Sequence, residues 1–134
     1  MKDTQCGIAS TADGQEELVT GLLEITPGIA AGLKARGLDA ATASASGMRT
    51  LVGKGGGEAL AIPFFREGAP VNTKYRTLDG SKRMWQDAGG VQCLWNEDCL
   101  RRDDLLDQPL IITEGELDAL AAIQAGFARV VSVP

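Results

Sequence analysis

Residues 109–134, PLIITEGELDALAAIQAGFARVVSVP, constrain the fold more than any other stretch of the chain. An apolar run over 110–113 meets Glu-Gly-Glu, a helical segment over 116–125 stops at Gly126, and a second apolar run covers 129–133. This order predicts a βαβ unit, with parallel strands and a right-handed crossover. The first strand is apolar on both faces, the pattern of a strand buried between helix layers. In open parallel sheets, ligands bind just beyond the carboxyl ends of the strands. Glu114 stands at that edge, placed to bind a divalent metal or to move a proton, and Gly115 lets the backbone turn. Thr113 and Glu116 have the spacing of a capping box, and acids in the first turn suit the helix dipole. Those two effects account for Glu116 and Asp118 as structural residues, but not for Glu114.

Upstream, GQEELVTGLLEI places Leu18, Leu22 and Ile25 at helical spacing behind a loose tail over 1–14. Thr26-Pro27 is an N-cap followed by proline at the first helical position, and that helix stops at Gly37. Asp39 caps a third short helix, AATASAS, ending at Gly47; without Arg, Lys, Asn or Gln it cannot read bases as a recognition helix would. GKGGGE is a flexible joint and lacks the spacing of a phosphate loop. Beyond it, ALAIPFF is a strand whose Pro63 implies an edge or a bulge. EGAP is a turn, VNTKYRTL alternates, Asp79-Gly80 signals a hairpin and KRMWQ returns, which predicts a three-stranded antiparallel meander. The period of two puts Lys74 and Arg76 on one strand face, where Lys82 or Arg83 joins them across the turn. Tyr75 points the other way, and Tyr75, Trp85 and Trp95 read as core aromatics rather than base platforms. GGVQCLWNEDCLRRDDLLDQ reads as a short strand and an acidic connector.

The fold class expected is α+β: small N-terminal helices, an antiparallel meander, and a βαβ unit that opens an α/β domain. The divisions are a helical lead-in over 1–52, a hairpin subdomain with a basic face over 53–108, and the α/β segment over 109–134.

Charge narrows the function. The formal net charge is -5, which excludes a protein that coats nucleic acid indiscriminately but not one with a local basic face. The charges are segregated. Arg66, Lys74, Arg76, Lys82 and Arg83 face only Glu67 and Asp79 in their segment, whereas Asp103, Asp104, Asp107, Glu114, Glu116 and Asp118 follow with no base among them. There is no histidine, and Cys6, Cys93 and Cys99 form no CxxC pair, so neither zinc nor a disulfide framework is expected. No signal-peptide core and no membrane span are present, and the expected location is the cytoplasm.

IITEGELDALAAIQAGF, a strand followed by Glu-Gly-x-x-Asp and a helix, resembles the opening of a Toprim domain. ALAIPFFREGAPVNTKYRTLDGSKRMWQ resembles the segment that precedes Toprim in DNA primases of phage or prophage type, including primase-helicases, and Arg36-Gly37 matches their helical lead-in. The resemblance implies a primase that makes RNA primers on single-stranded DNA. It assigns Glu114 as general acid/base and metal ligand, Gly115 and Asp118 as motif support, and Lys74, Arg76, Lys82 and Arg83 as binders of nucleic acid or nucleotide. It implies Mg²⁺ (or Mn²⁺) in the complete enzyme, held by an Asp-x-Asp motif that these residues lack. On this reading the chain is a piece cut inside Toprim, inactive by itself and without tightly bound metal. The partners implied are single-stranded DNA, ribonucleoside triphosphates and a replicative helicase, fused or separate; separately, an open sheet edge favours homodimerisation. Two alternatives remain: a fragment of an OLD-like Toprim nuclease, which would share Glu114, and a non-catalytic interaction domain. A topoisomerase would need a tyrosine nucleophile, and Tyr75 is the only tyrosine.

Overall fold

The computed structural model of the protein describes residues 19–134; the expected loose tail and the start of the expected first helix lie outside the described residues. The chain then runs as a strand rather than a helix. β1, Val19–Leu23, pairs antiparallel with β2, Arg49–Gly53. Its register shifts between Val19 and Leu22, and Gly21 takes φ +101 there, so strand alternation is broken. The glycine-rich segment is likewise not a loose joint. It is the hairpin turn from β2 into β3, Glu58–Arg66, closed by Gly53 N–H to the Gly57 carbonyl at 2.8 Å, with Gly56 at φ +89.

β4, Ala69–Arg76, and β5, Met84–Gln86, complete a five-stranded sheet in the order β1-β2-β3-β4-β5. It is an antiparallel meander of five strands, not three, and the expected boundary at 52/53 falls inside the β2–β3 hairpin. Pro63 is accommodated in the central strand because β2 pairing ends at Arg49↔Ala61, which leaves a partner on the β4 side alone. The register also shifts between Phe64 and Phe65, the bulge that proline implied.

Two short helices cover one sheet face. α1, Pro27–Lys34, begins as expected: the Thr26 hydroxyl accepts from Ile29 N–H at 3.4 Å and donates to Glu58 Oε1 at 3.0 Å, while Thr50 Oγ1 accepts from Thr26 N–H at 3.0 Å. Thr26 therefore ties the helix to β2 and β3 as well as capping it. Thr26→Ala is expected to cost about 0.5–2 kcal/mol in urea melts, the usual range for a lost N-cap. α2, Ala40–Ala45, is not capped by the Asp39 side chain; instead Asp39 N–H donates to Gln124 Oε1 at 2.7 Å. Ile29, Leu33, Ala43 and Met48 pack on Leu60, Ile62 and Phe64, and Trp95, Leu117 and Leu120 close the same core.

The segment after β5 forms no strand. Trp95 makes one antiparallel bridge to Ser132, and 3₁₀ turns follow at Glu97–Arg101 and Asp103–Leu105. The Asp98 carboxylate accepts from Glu67 N–H (2.8 Å) and Gly68 N–H (3.0 Å), clamping the β3–β4 turn. Those amide bonds hold its pKa below the usual aspartate value.

The closing βαβ unit is present as expected. β6, Ile111–Thr113, and β7, Val130–Ser132, pair in parallel, joined by α3, Glu116–Gln124. Two details differ from expectation. Ile112 is 63% exposed, so β6 is not buried on both faces. The capping box does not form either: Gly115 is the N-cap residue, and the Thr113 hydroxyl donates to the Gly115 carbonyl at 2.9 Å.

Candidate functional site

The site is built where the basic hairpin meets the first turn of α3. In β4, Lys74 lies opposite Ile62 and Arg76 opposite Leu60. Residues directly opposite share a face, so both cations stand at the margin of the core rather than on open sheet surface. Lys74 Nζ donates to Glu116 Oε2 at 2.8 Å, and the two side chains are only 17% and 6% exposed. It also lies 5.7 Å from the Phe64 ring centroid. Glu116, which local spacing marks as a capping residue, is thus the buried partner of a lysine 42 positions away. A helix-start pattern carries no signal for such a partner.

Among the described residues Arg76 has no such direct partner; its Nε is buried without a hydrogen bond. Burial first, and then the Arg36 charge, lower its pKa from the ordinary arginine value, while Glu116 and Asp118 act in the opposite direction. It stays protonated at neutral pH all the same. Arg36 and Arg76 line an open cleft of about 310 Å³ with Thr77, Gly80, Lys82, Arg83 and Met84. Among the described residues four cations and no acid line it, and the structure brings Lys82 and Arg83 to Arg76. The β4–β5 loop is held by the Thr77 hydroxyl, which lies 2.7 Å from Ser81 Oγ and accepts from Arg83 N–H at 3.1 Å. Lys82 sits in this loop at φ +59, a left-handed conformation uncommon for lysine. In the sequence Arg36 stands out only as part of a motif. The signal available is its position just before Gly37, which takes φ +78 and ends the α1 turn.

The acidic side of the site follows β6. Glu114 is exposed beyond the strand end, two residues before Glu116 in the chain, and Asp118 is exposed in the first turn of α3. Gly115 has φ −151, ordinary extended backbone, so no sharp turn demands glycine there. The constraint is space: a Cβ at Gly115 would lie 3.2 Å from Asp118 Oδ2. Among the described residues no three His, Cys, Asp or Glu side chains converge to hold a metal ion. Magnesium is commonly held by one or two carboxylates together with substrate phosphates, and Glu114 fits as one such donor. Among the described residues no helix is long and apolar enough to cross a membrane.

The aromatics divide. Trp95 is buried in the core as expected, but Tyr75 and Trp85 stack on the opposite face of the sheet, with centroids 5.4 Å apart, and Trp85 is exposed.

An antiparallel meander with a basic margin, running into a strand–Glu-Gly–helix–strand unit, is the fold of a primase core, and the resemblance to Toprim-containing DNA primases is borne out in the fold. Solved primase structures share it. The primase fragment of the bacteriophage T7 primase-helicase superposes with a TM-score of 0.57 at 23% identity, over 75% of this chain and 40% of that one. The primase domains of T7 gp4 subunits, solved with the T7 lagging-strand DNA polymerase, an RNA/DNA hybrid and dTTP, give 0.58 at 23% identity over 76% and 45%. Among curated proteins, the Twinkle homolog protein of Arabidopsis thaliana is 35% identical over 75 residues, 56% of this chain and 10% of that protein. The chain thus spans less than half of each protein it resembles. No family model matches it.

Proposed function

We propose that this chain supplies the template- and nucleotide-binding face and the first Toprim motif of a DNA primase, an enzyme making RNA primers on single-stranded DNA in phage-type replication. The observation that carries this reading is the cleft: Arg36, Arg76, Lys82 and Arg83 converge there with no acid among the described lining residues, in a chain of net charge -5. Such a concentration of cations suits phosphates, either of a single strand or of a ribonucleoside triphosphate. A buried Arg76 Nε with no acceptor among the described residues is a donor such a phosphate would satisfy. The likeness to primase domains solved with an RNA/DNA hybrid and dTTP supports the same reading.

In this reading the exposed Arg36, Lys82 and Arg83 hold phosphates at the rim, the half-buried Arg76 holds them deeper, and Lys74 stands behind them fixed by Glu116. Glu114 takes the proton of the attacking hydroxyl or contributes one oxygen to Mg²⁺ (or Mn²⁺), with Gly115 and Asp118 shaping its turn. The metal, when bound, would neutralise charge on the transferring phosphoryl group. A replicative helicase, fused or separate, is the partner of such an enzyme, and the cytoplasm is where it would work.

Binding is the direct test. The chain is expected to bind single-stranded oligonucleotides with an affinity that falls as salt rises. Arg76→Ala with Lys82→Ala should weaken binding and flatten the salt slope by about 0.7 for each phosphate no longer neutralised. A slope unchanged in the double variant sinks the cleft assignment.

A further inference from the structure

The Tyr75–Trp85 pair lies on the sheet face away from the core and is not needed to fill it. β5 is the edge strand, and alternation along it sends Met84, opposite Arg76, to the cleft side, and Trp85, opposite Tyr75, to the other. The two rings are nearly parallel, at 19°, and the Tyr75 hydroxyl donates to Asp87 Oδ1 at 2.9 Å, which fixes the lower ring. Trp85 is 40% exposed, and the Arg83 guanidinium lies over its ring, 5.9 Å from the centroid. Arg83 also lines the cleft, so one cation borders both features and makes them continuous around the β5 edge. A lone exposed tryptophan needs no explanation. An indole rigidly backed by a second ring, rimmed by a guanidinium and adjoining a strip of cations has the composition of a base-stacking surface.

We propose that Trp85, backed by Tyr75 and rimmed by Arg83, stacks an unpaired base of a single strand whose phosphates pass around the β5 edge into the cleft of Arg36, Arg76 and Lys82. This rests on the reading that the cleft takes single-stranded nucleic acid.

The chain contains its own probe. Of its two tryptophans, Trp95 is 2% exposed and Trp85 40%, so fluorescence quenched by a bound strand reports on Trp85. Titration of the whole chain with oligo(dT) is expected to quench that emission. A base-free deoxyribose-phosphate oligomer of equal length should bind at low salt without quenching. Trp85→Ala should weaken oligo(dT) binding about tenfold, the scale of one lost stack, and leave the salt slope unchanged; Trp85→Phe should recover most of the loss. Trp95 emission reports whether each variant is folded, and the quenching comparison in the unmutated chain stands even if Trp85→Ala does not fold. Oligo(dT) binding without quenching, or equal quenching by both oligomers, overturns the platform while leaving the cleft reading intact. Absence of binding by either oligomer at low salt overturns both.

Discussion

On the proposed primase reading, replacing Glu114 by glutamine in the active enzyme is expected to reduce ribonucleotide incorporation on single-stranded DNA by about a hundred- to ten-thousand-fold, the usual contribution of a positioned general acid or base. The substitution keeps the shape of the side chain and removes its charge and proton affinity. Glu114 is exposed, and surface changes of this kind generally alter stability by less than about 0.5 kcal/mol. Activity and stability should therefore separate: urea melts of Glu114→Gln overlay those of the unmutated protein while primer synthesis is lost. A magnesium titration divides the two roles. If Glu114 mainly contributes an oxygen to the metal, raising the metal concentration restores part of the rate; if it mainly moves a proton, it does not. Short RNA products retained in Glu114→Gln would remove Glu114 from the reaction. DNA cleaved with no RNA made would instead point to the Toprim nucleases, and neither activity would favour an interaction domain.

The parts of this fold that are legible in the sequence are those specified by local pattern. Asp79-Gly80 between alternating segments marks β4 and β5, and two apolar runs around a helical segment mark β6, α3 and β7. The Thr26-Pro27 start of α1 is likewise a purely local signal. Local pattern misleads where it imitates something else. Leu18, Leu22 and Ile25 have the spacing of a helix although Val19–Leu23 pairs as a strand with Arg49–Gly53, and β2 is five residues long, preceded by small residues and followed by glycines that resemble a linker. The site is half legible by the same logic. Period two places Lys74 and Arg76 on one face, but nothing in VNTKYRTL says whether that face meets water or core. The answer depends on α3, from another part of the chain, whose Glu116 closes on Lys74. Trp85 is not the core aromatic its composition suggests, for a related reason: its exposure follows from β5 being the sheet edge, which pairing order decides.

The Lys74–Glu116 pair carries the largest stability effect expected. Glu116→Ala leaves the Lys74 ammonium without its 2.8 Å partner, at a position where the lysine side chain is 17% exposed. Removing one member of a buried pair typically costs about 3–5 kcal/mol. The flexible lysine stem can carry its charge part of the way to water, so the low end, about 3 kcal/mol, is expected in urea melts at neutral pH. A loss below about 1 kcal/mol would mean that the pair behaves as an exposed surface bridge. Lys74→Met combined with Glu116→Leu should recover most of the stability lost in either single variant, because replacing both charges by apolar groups of similar volume is often near neutral. Nucleic-acid affinity should move the other way. Glu116 compensates Lys74 and acts electrostatically on Arg76 from beside the cleft, so Glu116→Gln makes the basic margin more positive. That variant is expected to be less stable and yet to bind single strands more tightly at low salt, with the gain fading as salt is raised. Opposite signs in two measurements on one variant would show that Glu116 serves the architecture of the site by restraining its charge.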